Sequence, residues 1–144
     1  MVDPARLRSL LDRLAEELSE LRRFASQPPG ELLADRDRLG AVKYAFVVAI
    51  EICIDAGQHV IASEGLRAPT SFADVFTILG EGGYLEKEVV PALRSMARFR
   101  NLLVHGYLRV DDTRVVEILQ TGLDDVDHFR SQIARAAESG EPSR

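Results

Sequence analysis

Residues 31–63, ELLADRDRLGAVKYAFVVAIEICIDAGQHVIAS, decide the fold class. They hold no proline, and Leu39, Val42, Phe46, Ile50 and Cys53, then Gly57 and Val60, recur at helical spacing. The spacing predicts one long helix over 31–63, with Gly57 as the place for a bend. Between Ala41 and Ile54 the only charges are Lys43 and Glu51, so more than one face should be covered. That places the helix in the middle of a bundle.

Towards the N-terminus, Asp3-Pro4 reads as an N-cap followed by proline at the first helical position, where a missing N–H costs nothing. Leu7, Leu11, Leu14, Leu18, Leu21 and Ala25 form the stripe of a first helix, which ends before Gln27-Pro28-Pro29-Gly30. In the other direction, Ser71 and Asp74 resemble a capping box with Asp in place of Glu. They open a short helix through Leu79 that Gly80, Gly82 and Gly83 close. Leu85, Val89, Leu93, Met96, Phe99 and Leu103 give a fourth stripe, with Pro91 in its first turn or at a small kink, ending near His105-Gly106. Asp111-Asp112-Thr113 offers caps for a last helix with the stripe Val115, Leu119, Leu123, Val126, Phe129 or Arg130, and Ile133. No strand-like alternation and no internal repeat interrupts this pattern. The expectation is an all-α, up-and-down bundle of five helices, one of them short, over residues 1–137, followed by a flexible tail over 138–144.

A chain of 144 residues with 46% hydrophobic side chains suits one domain with a sizeable core. Cys53 is the single cysteine and lies among Ala49, Ile50, Ile52 and Ile54, so it reads as a small core residue. The first residues, Met1 to Arg6, begin a charged periodic pattern without the apolar run of a secretion signal, and a cytoplasmic address follows. The longest apolar run, Ala45 to Ile50, stops at Glu51, far short of a membrane span. Net charge is −5 and the pI about 5.2, which argues against a whole surface made to coat nucleic acid. The charge is uneven, however. From Val89 to Val110 there is no Asp or Glu, while Arg94, Arg98, Arg100 and Arg109 fall there, leaving room for a local basic site on an acidic body.

The same segment contains Arg100-Asn101-Leu102-Leu103-Val104-His105-Gly106-Tyr107. Arg100 lies within one helical step of the Met96 and Leu103 stripe, so its guanidinium needs a carboxylate, a phosphate or a partner chain to satisfy it. His105 and Tyr107 flank the glycine at which the helix stops, and both can project from a rigid end. A neutral imidazole can exchange protons with a hydroxyl or a leaving oxygen near neutral pH. The plainer readings are a structural ion pair for Arg100 and stabilisation of the helix dipole for His105.

Other candidates are thinner. Glu51, Asp55 and His59 form a polar line on the long helix, four residues apart or one turn, suited to a supporting or structural role with the basic fourth helix as natural partner. Asp55 and His59 alone leave the ligand count of a metal site unfilled, so no metal and no cofactor are expected. His128 reads as a solvated residue, and Gly80-Glu81-Gly82-Gly83 follows a helix rather than a strand, unlike a phosphate-binding loop. Asp35 to Asp37 and Asp124 to Asp127 read as solvated faces or a docking surface.

Arg100, four residues, His105, Gly106 and Tyr107 together resemble the motif of HEPN-domain toxins encoded beside minimal nucleotidyltransferase (MNT) antitoxins. The similarity extends from about Leu7 to Ile133, including Glu51, Asp55 and His59 and the segment from Phe72 to Leu85. The resemblance implies a HEPN-type homodimer whose two motifs meet across the subunit interface, cutting RNA without a metal. Carried over, it gives Arg100 the phosphate, His105 the role of general acid or base, and Asn101 an orienting role, with Arg94, Arg98 and Arg109 as RNA-binding candidates. Tyr107 becomes the hydroxyl that the antitoxin modifies with AMP, or a half-buried residue closing the helix end, or both. The alternative is a non-catalytic helical adaptor, or nucleotide-binding partner of a nucleotidyltransferase, in which Arg100 and His105 pair with acidic groups at an interface.

Overall fold

The computed structural model describes residues 2–106 and 110–139. Seven α-helices account for most of these: α1 (Pro4–Ala25), α2 (Pro29–Ala34), α3 (Arg36–Ser63), α4 (Phe72–Glu81), α5 (Val90–His105), α6 (Asp112–Thr121) and α7 (Leu123–Ser139), with one 3-10 turn at Lys87–Val89. Among the described residues there is no strand, so the all-α class holds. No helix among them is long and apolar enough to cross a membrane. The tail expected from residue 138 falls mostly outside the described residues, as do Tyr107 and Arg109.

The count of seven replaces the five expected, for two local reasons. The long helix begins at Arg36, because the Asp35 carboxylate accepts hydrogen bonds from the Asp37 and Arg38 amides at 3.1 Å each and so caps a new helix. Ahead of it, Pro29 starts the short α2, where proline is tolerated in the first turn. Asp35 is therefore a cap rather than part of a solvated acidic face. The last helix divides at Gly122, whose amide still bonds the Ile118 carbonyl at 2.8 Å. A Cβ at Gly122 would fall 2.6 Å from Met96 Cε, so the break lets α5 approach closely. Val115, Leu119, Leu123, Val126, Phe129 and Ile133 are buried on both sides of that break.

α3 lies at the centre, packing against α1, α2, α4, α5 and α7. Its buried residues, from Leu39 through Ala45, Ile52 and Ile54 to Ile61, cover more than one face, as its sparse charge predicts. Phe46 meets Phe99 of α5 edge-on at 5.3 Å, and Phe76 of α4 meets Phe129 of α7 in the same way at 5.7 Å. α3 runs unbroken through Gly57, whose role is contact: a Cβ there would fall 2.6 Å from Val75 Cγ1 of α4. Cys53 is buried in the core, and burial pushes its thiol pKa well up.

The caps follow the sequence where the residues are local. Asp3 accepts from the Ala5 and Arg6 amides ahead of Pro4, and Asp111 accepts from the Thr113 amide at the start of α6. Pro91 sits in the first turn of α5. α4 extends to Glu81, past the expected end at Leu79; Gly83 then takes the left-handed conformation at φ 82° as the chain turns away.

Candidate functional site

Arg100 and His105 leave α5 in different directions, because five residues turn a helix by about 140°. Arg100 points towards α3. Its Nε and Nη2 both donate to Glu51 Oε1, at 3.2 and 2.6 Å, and Nη1 donates to Asn101 Oδ1 at 3.1 Å. The guanidinium carbon also lies 5.1 Å from the centroid of the Phe72 ring, at the start of α4. The Arg100 side chain is only 13% exposed while its Glu51 partner is 44% exposed, so the pair sits at the edge of the bundle with the arginine inside. Of the five N–H donors on a guanidinium, three are engaged, which leaves two without a partner among the described residues.

His105 is the last residue of α5 and is exposed. It faces a hollow of about 480 Å³ lined also by Gln58, Pro69, Thr70, Ser71, Phe72 and Asn101. A smaller hollow beside it is lined by Glu51, Ile54, Asp55, Phe72 and Arg100. Phe72 belongs to both, and Asn101, in the wall of the first, holds Arg100 in the second. These two residues join the motif's arginine to its histidine.

The loop that walls the His105 hollow is fixed from outside. Asp74 accepts from Arg67 Nη1 at 2.8 Å and Nη2 at 2.9 Å, and from the Thr70 amide and hydroxyl at 3.0 and 3.2 Å. Arg67 adds a third bond, Nε to Glu81 at 3.0 Å. The Arg67 guanidinium, with the Thr70 amide after it, holds the Asp74 carboxyl far below the usual carboxylate range. Ser71 Oγ accepts from the Asp74 amide at 3.0 Å, the first half of a capping box; the acid's side chain has turned to Arg67 and Thr70 instead of returning to Ser71.

The other residues singled out in the sequence fall in different places. Asp55 joins Glu51 near Arg100. His59 does not join them: its Nε2 accepts the Asp3 amide at 3.2 Å, tying the N-terminus to α3. Arg94 turns to α4, where it bonds the Thr77 hydroxyl and, at 3.4 Å, the Ala73 carbonyl. Both bonds come from Nη1, which ties α5 to α4; among the described residues Nε and Nη2 make no hydrogen bond. Arg98 is exposed and lies in an apolar groove of about 450 Å³ with Phe99, Leu102 and Ile118. Tyr107 and Arg109 lie outside the described residues. Phe72 was missed, as were Gln58, Thr70 and Ser71. An aromatic residue directly after an N-cap serine was the available sign for Phe72, since that position seldom faces a core. Among the described residues no group of three His, Cys, Asp or Glu side chains could hold a metal ion.

Residues 14–133 match the family model described as Ribonuclease HepT-like. The mRNA nuclease HepT of Shewanella oneidensis is 32% identical over 79 residues, covering 55% of this chain and 59% of that protein, so the match spans about three-fifths of the relative's length. Among solved structures, the cytosolic protein of unknown function YutE from Bacillus subtilis aligns with a TM-score of 0.82 at 21% identity, over 99% of this chain and 96% of that one. The Shewanella oneidensis HEPN toxin, solved tri-AMPylated in complex with MNT antitoxin, aligns with a TM-score of 0.76 at 24% identity, over 94% of this chain and 99% of that one. The two structures show that the bundle is shared, and the family model, matching most of the sequence, shows more: the chain belongs to the Ribonuclease HepT-like family.

Proposed function

We propose that the protein is an RNA endonuclease, the toxin of a toxin–antitoxin pair, which acts without a metal ion through Arg100 and His105. The observation that carries this reading is the Arg100 guanidinium, held on three sides with two N–H donors that no described residue accepts, next to the hollow that His105 faces. The neighbouring 2′-hydroxyl attacks phosphorus, forming an O2′–P bond and breaking the bond to O5′. One imidazole takes the hydroxyl proton or gives one to the departing O5′, a contribution of roughly 10² to 10⁴-fold. Arg100 stabilises the charge that gathers on the phosphate oxygens, the larger effect in such reactions.

A single chain offers weak attraction for that phosphate, because Glu51 already neutralises Arg100 and Asp55 lies close by. A second copy supplies the missing positive charge, which supports a homodimer with a composite site. Tyr44, 72% exposed, and Val48 share the α3 face that carries Glu51, and Val104 is exposed one turn beyond Arg100. This apolar rim suits contact between copies. Arg98 and Arg109 would extend the RNA track.

The toxin role is supported by the Shewanella oneidensis HEPN toxin, described as AMPylated and bound to MNT antitoxin. Here an MNT-type nucleotidyltransferase would place AMP on Tyr107, two residues after His105, adding bulk and negative charge where RNA must enter. A cytoplasmic site of action agrees with the cytosolic description of the YutE protein. Expression of the chain alone should stop growth and fragment RNA, and His105→Ala should restore both; cells that grow with intact RNA whichever form they carry would rule the nuclease out.

A second reading has one observation in its favour, the Arg100–Glu51 pair, which a non-catalytic adaptor would also contain. On that reading Arg100→Ala lowers dimer mass or affinity for the nucleotidyltransferase and leaves RNA intact in every case.

A further inference from the structure

We propose that the hollow beside His105 is a nucleobase subsite: it receives the unpaired base next to the scissile phosphate, stacked against Phe72 and hydrogen-bonded at its edge by Gln58 and Asn101. The inference rests on the nuclease reading and adds to it the form of RNA that can be cut.

The first argument is the chemistry of the wall. Among the described residues that line it, Gln58, Pro69, Thr70, Ser71, Phe72, Asn101 and His105, there is no Asp, Glu, Lys or Arg. A subsite for a second phosphate would need cations, and a protein partner's charged residue would need an opposite charge. An aromatic face with neutral amides and hydroxyls matches a base, whose faces are apolar and whose edges carry donors and acceptors. At about 480 Å³ the hollow has room for a base with its ribose.

The second argument is which polar atoms remain available. Asn101 Oδ1 accepts from Arg100, which fixes the amide so that its two Nδ2 hydrogens are left for a ligand's acceptor. Ser71 Oγ accepts from the Asp74 amide and keeps its own hydrogen to donate, whereas the Thr70 hydroxyl hydrogen is committed to Asp74. Gln58 is exposed and has no hydrogen bond to another described residue, so it presents both a donor and an acceptor. Phe72 is 38% exposed, unusual for a large aromatic side chain, and its ring already contacts the Arg100 guanidinium. A base on that ring would sit between the group that holds the phosphate and the group that moves the proton.

The third argument is rigidity. Four hydrogen bonds to Asp74 fix the loop before α4, so the wall does not have to order when a base arrives. A base can enter only if it is out of a duplex, where stacking and pairing hide its faces and edges.

The test uses the purified full-length protein, a single-stranded oligoribonucleotide, and the same strand annealed to its complement. The single strand should be cut and the duplex resist. Phe72→Ala should raise KM by about 5- to 100-fold with a smaller change in kcat, and Phe72→Tyr should restore it. Gln58→Ala, at an exposed position that makes no bond to Arg100, should change the base preferred at the cleavage position, a readout that loss of packing would not move. A wild type that cuts both RNAs equally, or Phe72→Ala and Gln58→Ala proteins with unchanged KM and base preference, overturns the subsite and leaves the nuclease standing. A wild type that cuts neither RNA overturns the nuclease. In that case a labelled single strand titrated against His105→Ala protein decides the subsite: binding that Phe72→Ala does not weaken overturns it as well.

Discussion

Two arginine–carboxylate pairs flank the same loop; each arginine engages three of its five N–H donors, and they differ in how far the rest are sheltered from water. Arg67 grips Asp74 with two parallel bonds, adds Glu81, and shares Asp74 with the Thr70 amide and hydroxyl. Arg100 meets a single oxygen of Glu51 and leans on a ring and an amide; its side chain is 13% exposed against 47% for Arg67, so its two donors without a partner among the described residues are less open to water. The Asp74 pair uses its charge to hold a loop, whereas the Glu51 pair uses it to hold an arginine. The difference separates an ion pair whose arginine is open to water from one whose arginine is buried without being saturated, the arrangement that the proposed site needs. Arg94 is a third case: among the described residues only its Nη1 is engaged, by the Thr77 hydroxyl and the Ala73 carbonyl of α4.

The comparison breaks most visibly at Arg100→Ala. Cleavage of single-stranded RNA should fall by about 10³-fold or more. Thermal stability should fall by only about 1–2 kcal/mol, because Glu51 can regain water once alone. Rates and a melting curve on one preparation check both. Asp74→Asn should do the reverse, lowering the melting temperature by several degrees at neutral pH while cleavage falls only as far as the hollow's wall loosens. Since Arg67 holds the Asp74 carboxyl below its unfolded value, its stabilisation is fully present above the usual carboxylate range and is lost as pH falls through the folded value. The melting difference between wild type and Asp74→Asn should therefore shrink steadily under strongly acidic conditions.

Gly57→Ala sharpens the comparison at a distance. Its Cβ would fall 2.6 Å from Val75 Cγ1 and 3.0 Å from Leu79 Cδ1, prising α4 from α3. Overpacking of about 1–3 kcal/mol should outweigh alanine's helical preference of about 1 kcal/mol. Because Glu51 and Phe72 come from those two helices, cleavage should fall together with stability. The smallest effect belongs to Arg94→Ala. Cleavage should stay within about twofold while stability falls by about 1 kcal/mol, the worth of its bonds to α4.

Much of this was legible in the sequence, and the exceptions share a cause. Each apolar stripe named from spacing is buried, apart from the half-buried Ala25 at the end of the first, because periodicity reports a face. The breaks at Asp35 and Gly122 were hidden, since a single capping or close-approach residue leaves the stripe in phase. The need of Arg100 for a carboxylate was readable from its place beside a stripe, and Glu51 from its place in an apolar helix. The direction of His59 was not: helical spacing puts it in line with Asp55, but Asp3 covers that turn from elsewhere in the chain. Phe72 and Gln58 escaped for the same reason, since stacking and hollow walls arise between elements far apart in sequence.

The central claim is that Arg100 acts through the geometry of its guanidinium donors and not merely through its charge. Arg100→Lys keeps the charge and the attraction to Glu51 but removes the planar set of donors. The direct measurement is the single-turnover cleavage rate of this variant against wild type, with melting temperatures taken alongside. The account predicts a rate at least about 10²-fold lower at a nearly unchanged melting temperature. A lysine variant that cuts RNA at the wild-type rate would contradict it.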